Sequence, residues 1–148
     1  MRDNATVLEA GQGTVLTARG SAMFFKATRE STNGAFSLME RTLPPAGRKP
    51  PPHVHINCEE AFYVIEGTVE FSLGETTTIG RPDTFVLVPG GVAHTFGNAG
   101  ATQARLLVIH APAMDGYFEE LQTLWAQEVP PSREDELELM RRHGMEPA

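Results

Sequence analysis

Through the first two-thirds of the chain, short runs of β-branched and aromatic residues are separated by turn formers. Gly11, Gly13, Gly20, Asn33-Gly34, Pro44-Pro45, Gly67, Gly74, Gly80, Pro89-Gly90-Gly91 and Gly97-Asn98 punctuate it at short intervals. Such spacing leaves room for strands and turns, the signature of an all-β sandwich or barrel. The pattern predicts strands over 14–17, 22–26, 36–42, 60–66, 68–73, 84–88, 94–97 and 104–110, with Asn33-Gly34 as a hairpin turn. After Pro112 the period changes. Phe118, Leu121, Leu124 and Trp125 recur at helical spacing within 116–127, and Pro130-Pro131 ends that run. Ser132 then precedes Glu134, Asp135 and Glu136, followed by Leu137, Leu139 and Met140 and by Arg141, Arg142, His143 and Gly144. A capping residue, acids in the first turn, bases in the last and a glycine stop predict a second helix. The reading is therefore a β-barrel domain over 1–112, with 113–148 as a helical tail packed on the barrel or on a partner subunit.

Length and charge narrow the function. One domain suits 148 residues. Twelve basic against nineteen acidic side chains give a net charge of −7, which disfavours nucleic acid and anionic membrane surfaces as partners. No run approaches the ~20 apolar residues of a membrane span. The first thirteen residues carry Asp3, Asn4 and Glu9 where a signal peptide needs a basic start and an apolar run. A lone cysteine, Cys58, demands no oxidising compartment. A cytoplasmic protein is expected.

The chemistry is concentrated between Gly47 and Asn98. His53 and His55 are two apart, so an extended chain projects both imidazoles from one face. A turn follows, and Glu60 leads a strand with Phe62 and Val64 on its side. Pro89, Gly90 and Gly91 then deliver His94 to the start of another strand. Three neutral imidazoles and one carboxylate make a site for one borderline divalent ion per chain (Fe, Mn, Ni, Cu or Zn). Glu60 is the ligand able also to carry a proton, and so is the candidate catalytic residue.

These residues resemble the two motifs of the cupin superfamily. Gly47, His53, His55, Glu60 and Gly67 stand at the spacing of the first, and Pro89, Gly91, His94 and Asn98 at that of the second. Where the second motif usually opens with Gly-Asp, this chain has Pro82-Asp83. The resemblance implies a single-domain cupin, a double-stranded β-helix or jelly-roll barrel with its motif core at 36–112. It also implies a homodimer paired through barrel edges. The His-x-His run, the segment Glu60-Ala-Phe-Tyr-Val-Ile-Glu-Gly67 and the helical tail are similar to small bacterial quercetin-2,3-dioxygenase-like cupins. That likeness implies a dioxygenase acting on a small aromatic or oxygenated substrate. The alternatives are a redox-neutral isomerase, cyclase or decarboxylase, or a metal-containing binding protein without turnover.

Around the ligands, Met39, Phe62, Val64, Phe96 and His110 are expected to line the substrate pocket. Glu59 and Cys58 read as bystanders in the loop and strand leading to Glu60. His110 reads as a strand-end residue at the rim or as a pocket residue, and His143 as a complement to the terminal helix dipole. Gly11-Gln-Gly13 lacks the remaining glycine of a nucleotide loop.

Overall fold

A computed structural model describes residues 4–148; residues 1–3 of the expected barrel domain lie outside it. Six strands form one antiparallel sheet: β1 (Thr14–Ala18), β2 (Ser21–Ala27), β3 (Ser37–Leu43), β5 (Glu59–Glu66), β8 (Phe85–Val88) and β10 (Ala104–Ala111), ordered β1-β2-β3-β10-β5-β8. The facing sheet is ordered β11-β4-β9-β6-β7. Its strands are β4 (His53–His55), β6 (Val69–Leu73), β7 (Thr76–Gly80), β9 (His94–Asn98) and β11 (Met145–Pro147). Two helices, α1 (Asp115–Trp125) and α2 (Arg133–Arg142), precede β11. No helix among the described residues is long and apolar enough to cross a membrane.

Alternation decides what faces inward. On β3 the buried positions are Ser37, Met39, Arg41 and Leu43, and on β10 they are Ala104, Leu106, Val108 and His110. On β5 they are Glu60, Phe62 and Val64. The register places His110 opposite both Ser37 and Glu60, and Val108 opposite both Met39 and Phe62. One end of the barrel interior is thereby polar, and the body below it is a close-packed apolar core containing Phe62, Phe71, Val64, Val69 and Leu106.

The turns explain much of the topology. Arg19 and Gly20, both at positive φ (53° and 74°), make a two-residue hairpin between Ala18 and Ser21, the geometry that suits the twist of paired strands. Gly67 sits at φ 77°, and a Cβ there would lie 2.8 Å from the Ala104 Cα and the Gln103 carbonyl oxygen. Only glycine lets β5 and β10 close at this point. Asn33 and Gly34 do adopt left-handed conformations (55° and 81°), but inside a longer connection between β2 and β3 rather than as a tight hairpin.

The turn at Pro82-Asp83 forms without the usual glycine. The Thr84 N–H donates to the Arg81 carbonyl (3.0 Å), Pro82 takes the second position and Asp83 the third, at φ 74°. That is the arrangement of a type II turn. The Tyr63 hydroxyl donates to Asp83 Oδ1 (3.0 Å) and supports the otherwise unfavourable conformation.

The eight strands read from the sequence are present, and three others were not anticipated. β7 is exposed at four of its five positions, so Thr76, Thr77 and Thr78 show no alternation. β4 and β11 are three residues each and exist by pairing with neighbours, His53 opposite His94 and Met145 opposite His55. The tail packs on the barrel: α1 lies against β1, and β11 adds a strand to the one that carries His53 and His55.

Candidate metal centre

Each ligand position is held by backbone structure before any ion is considered. The proline-rich approach to β4 ends in the Pro51 carbonyl, which accepts a hydrogen bond from His53 Nδ1 (2.8 Å). The Val92 carbonyl accepts one from His94 Nδ1 (2.9 Å). Both rings are thereby fixed with Nε2 aimed at the site, as ligating histidines usually are. The motif asparagine acts nearby as a clamp: Asn98 Nδ2 donates to the Leu43 and Thr102 carbonyls (2.9 and 2.8 Å), and its Oδ1 accepts from the Gly100 N–H (2.8 Å).

His53, His55, Glu60 and His94 are all buried, at 2–5% exposure. One ligand atom from each lies within 4.8 Å of the others. Glu60 is the hub. Its Oε1 lies 2.7 Å from His94 Nε2 and 3.3 Å from His55 Nε2, and its Oε2 lies 2.6 Å from His110 Nε2. Burial alone would raise the Glu60 carboxyl, but His110, with His55 and His94, outweighs it and holds it well below the ordinary carboxylate value. For His53, burial, aided by His94, outweighs Glu60 and the Pro51 hydrogen bond and pushes it down to about 4. Burial opposes protonation of His94 as well, yet the Glu60 contact prevails and raises it.

Two observations show that this donor set fits a divalent cation. Both ring nitrogens of His55 are buried without a hydrogen-bond partner among the described residues, despite the nearness of Glu60. A buried polar atom left in that state is costly unless something else satisfies it. His94, meanwhile, uses its Nδ1 proton on Val92 and turns Nε2 to 2.7 Å from a Glu60 oxygen, a contact that a shared proton or a metal cation bound by both atoms satisfies. Three imidazoles and one carboxylate suit Zn or a redox-active first-row ion.

His110 proves to belong to the site. It is 1% exposed and touches the carboxylate oxygen that His94 does not. The alternation of β10 placed it inward with Leu106 and Val108, which was the available signal; its partner was set by cross-strand register. Glu59 is exposed at the start of β5, and Cys58 is pushed up to about 11, chiefly by burial and then by Glu60, so it stays a thiol at neutral pH. His143 is the C-cap of α2 and contacts Glu120 and the Tyr117 ring, a link between the two helices.

The cavity above the cluster is small, with about 20 Å³ of free volume, room for about one water or ion. Phe96 and His110 line it. Met39, Phe62 and Val64 do not; they are 0–1% exposed and lie in the core. The apolar wall is supplied instead by the tail, through Met114, Tyr117, Phe118, Met140 and Met145, and two arginines, Arg19 and Arg41, complete the lining. Sequence periodicity assigned the tail side chains to packing but could not show that they pack over the site.

The comparisons with known proteins agree with this architecture. Residues 39–110 match the family model described as Cupin domain. No curated protein matches the chain significantly. Among solved structures, the chain is similar to a predicted oxalate decarboxylase from Thermotoga maritima (TM-score 0.63, 20% identity, covering 72% of this chain and 99% of that one). It is also similar to the polyketide cyclase RemF from Streptomyces resistomycificus (TM-score 0.63, 22% identity, 73% and 80% covered). A third similar structure is KdgF from Halomonas sp. (TM-score 0.65, 14% identity, 75% and 98% covered). Identities this low speak for the fold alone. With two facing antiparallel sheets and a helical tail, the chain has the fold of these structures; residues 39–110 match the cupin domain model, and within them His53, His55, Glu60 and His94 could hold a single metal ion.

Proposed function

We propose that this chain is a metal-dependent enzyme acting on a small organic molecule, with dioxygenation as the reaction that the resemblance to quercetin-2,3-dioxygenase-like cupins implies. The observation that carries the metal-dependent reading is the buried group of three imidazoles and one carboxylate, with both His55 nitrogens left without partners. His53, His55, Glu60 and His94 would hold the ion, which when bound supplies Lewis acidity and, for Fe, Mn, Ni or Cu, redox chemistry. The chain's own residues supply the rest. Pro51 and Val92 orient two of the imidazoles, the tail side chains keep bulk water from the cavity, and the Glu60 carboxylate faces His110 Nε2 at 2.6 Å as an acceptor.

That last contact favours a second reading, redox-neutral proton-transfer chemistry such as decarboxylation, isomerisation or cyclisation. A carboxylate with a histidine on its far oxygen is arranged to pass a proton. The likeness to a predicted oxalate decarboxylase and a polyketide cyclase is in keeping with it. Metal analysis by mass spectrometry on protein purified without chelator or His-tag tests the common ground. About one ion per chain, lost in the His53→Ala/His94→Ala double variant, supports the reading; no metal and no uptake on reconstitution overturns it. Oxygen consumption during turnover then selects dioxygenation, and turnover without oxygen selects the second reading.

The assembly belongs to the same proposal. β8 is an edge strand, and Phe85 and Leu87 are 59% and 57% exposed on its outer face, with Tyr63 beside them on β5. An uncovered edge with apolar side chains invites pairing, which supports a homodimer through this strand.

A further inference from the structure

The cavity beside the cluster has a charge balance opposite to that of the chain. The protein carries −7 overall, yet Arg19 and Arg41 both line this enclosed space. Arg19 is accounted for: its Nε donates to Glu136 Oε1 (2.7 Å), and its guanidinium reaches the Tyr117 hydroxyl (3.5 Å). Arg41 is not. It is 2% exposed, and its one hydrogen bond among the described residues runs from Nε to Ser21 Oγ (3.0 Å). Among those residues no carboxylate lies at ion-pair distance from it. Its Cζ sits 5.2 Å from the centre of the Phe96 ring, on the strand that carries His94.

A buried cation without a counter-ion is expensive to keep. Burial, with repulsion from Arg19, pushes Arg41 down to about 10, which still leaves it charged at neutral pH. Glu60 acts on Arg41 only through space, raising it without reaching ion-pair distance, and its two carboxylate oxygens already meet histidines; Glu136 is committed to Arg19 and Trp125. The terminal nitrogens of Arg41 are thus a planar fork facing an enclosed space. A carboxylate is the partner such a fork matches with two parallel hydrogen bonds.

Resting on the reading of the site as a metal-dependent enzyme, we propose that its substrate is a small organic carboxylate. The carboxylate group is taken by the Arg41 guanidinium beside the Phe96 ring, and the reacting part of the molecule faces His53, His55, Glu60 and His94. The free volume has room for about one water or ion, so even a carboxylate of a few carbons enters only as Met114, Met140 and Met145 give way, which flexible methionines do readily.

Thermal shift measurements on purified protein of known metal content test this, with formate, acetate, glyoxylate, pyruvate and oxalate as probes. Formamide, acetamide, pyruvamide and oxamide serve as neutral counterparts. The expected result is that at least one carboxylate raises Tm saturably while its amide does not. The Arg41→Met variant should need at least tenfold more of that carboxylate, with its metal per chain unchanged. Should Arg41→Met not fold, Arg41→Lys decides: it keeps the charge and loses the fork, so a tenfold weaker response supports the proposal and an unchanged one overturns it. A series in which no carboxylate raises Tm, or in which amides act equally, also overturns it. The His53→Ala/His94→Ala variant separates the two readings. An Arg41-dependent carboxylate response that survives there without metal upholds the anion site even if the metal reading fails.

Discussion

His110 and Cys58 show how differently two residues beside one carboxylate can be used. His110 holds the Glu60 oxygen that faces away from His94, so it sets both the orientation and the charge of that ligand. Replacing such an outer partner typically costs about 10–100-fold in metal affinity or activity. His110→Leu should therefore keep the fold and lose about that factor in metal affinity, read by competition with a chelator of known strength. Unchanged affinity would reduce His110 to a packing residue. Cys58 lies near the same carboxylate, and its thiol is pushed up from 9.0 to about 11 by burial first and by Glu60 next. A raised thiol has less thiolate at any pH below the shifted value. At pH 8 the loss is about a hundredfold relative to an unshifted thiol, and the thiolate is the reacting species. Alkylation by iodoacetamide at pH 8 should be slower than that of a small-molecule thiol by about that factor. Rapid labelling would mean that the Cys58 environment opens. Both side chains could be named from the sequence; their opposite roles depend on which atoms lie across the strand and loop from them.

Among the elements, α2 carries the most weight for the site. Ser132 caps it by accepting from the Asp135 N–H (3.1 Å), and the Asp135 carboxylate accepts in return from the Ser132 N–H (3.0 Å). This reciprocal cap was legible as Ser, two residues, then an acid. The Glu136 link was not. It joins α2 to the β1–β2 turn through Arg19 and to α1 through the Trp125 indole N–H (2.8 Å). Losing the cap in Ser132→Ala should cost about 1 kcal/mol. Breaking the buried pair in Glu136→Ala should cost about 3–5 kcal/mol, because Arg19 would be left charged and unpaired. Urea denaturation of the two variants checks the order; a smaller loss for Glu136→Ala would mean that water reaches Arg19. Arg19 itself sits in a two-residue turn at positive φ, a position that usually favours Gly, Asn or Asp. The sequence marks the turn through Gly20 but gives no sign that the residue before it points toward a helix more than a hundred positions away.

At the scale of the whole molecule, the two sheets leave β8 uncovered, and its outer face is apolar at Phe85 and Leu87. If copies pair there, Phe85→Ser/Leu87→Ser should shift the protein toward monomer in sedimentation velocity while metal per chain stays the same. A monomeric parent, or a dimer untouched by the double variant, would place the contact elsewhere or remove it. The closure of the barrel by its own tail is a second property of the whole. Met114, Tyr117 and Phe118 arrive from α1 and the residue before it, Met140 from α2 and Met145 from β11, and together they wall a cavity of about 20 Å³ beside the candidate ligands. The charges sort in the same way: an acidic chain has its two pocket arginines in the enclosed space.

The sequence by itself determined the class of fold, which rests on local regularities, and it named the candidate ligands through the spacing of two short motifs. A strand exposes alternate residues, so a His-x-His run puts two imidazoles on one face. Turn formers at fixed intervals cut the chain into strands, and a helix shows its cap and its period. The short strands β4 and β11 escaped, since three residues carry no period and exist only by pairing. What only the tertiary structure decided is whatever depends on the register and packing of distant segments. His110 meets Glu60 because β10 and β5 pair in one register and not the next. Arg41 has no carboxylate at ion-pair distance among the described residues because of what surrounds it across the barrel, and the tail covers the cavity because of where α1 and β11 land. Contacts of that kind join residues whose separation along the chain bears no relation to their distance in space, so no local pattern records them.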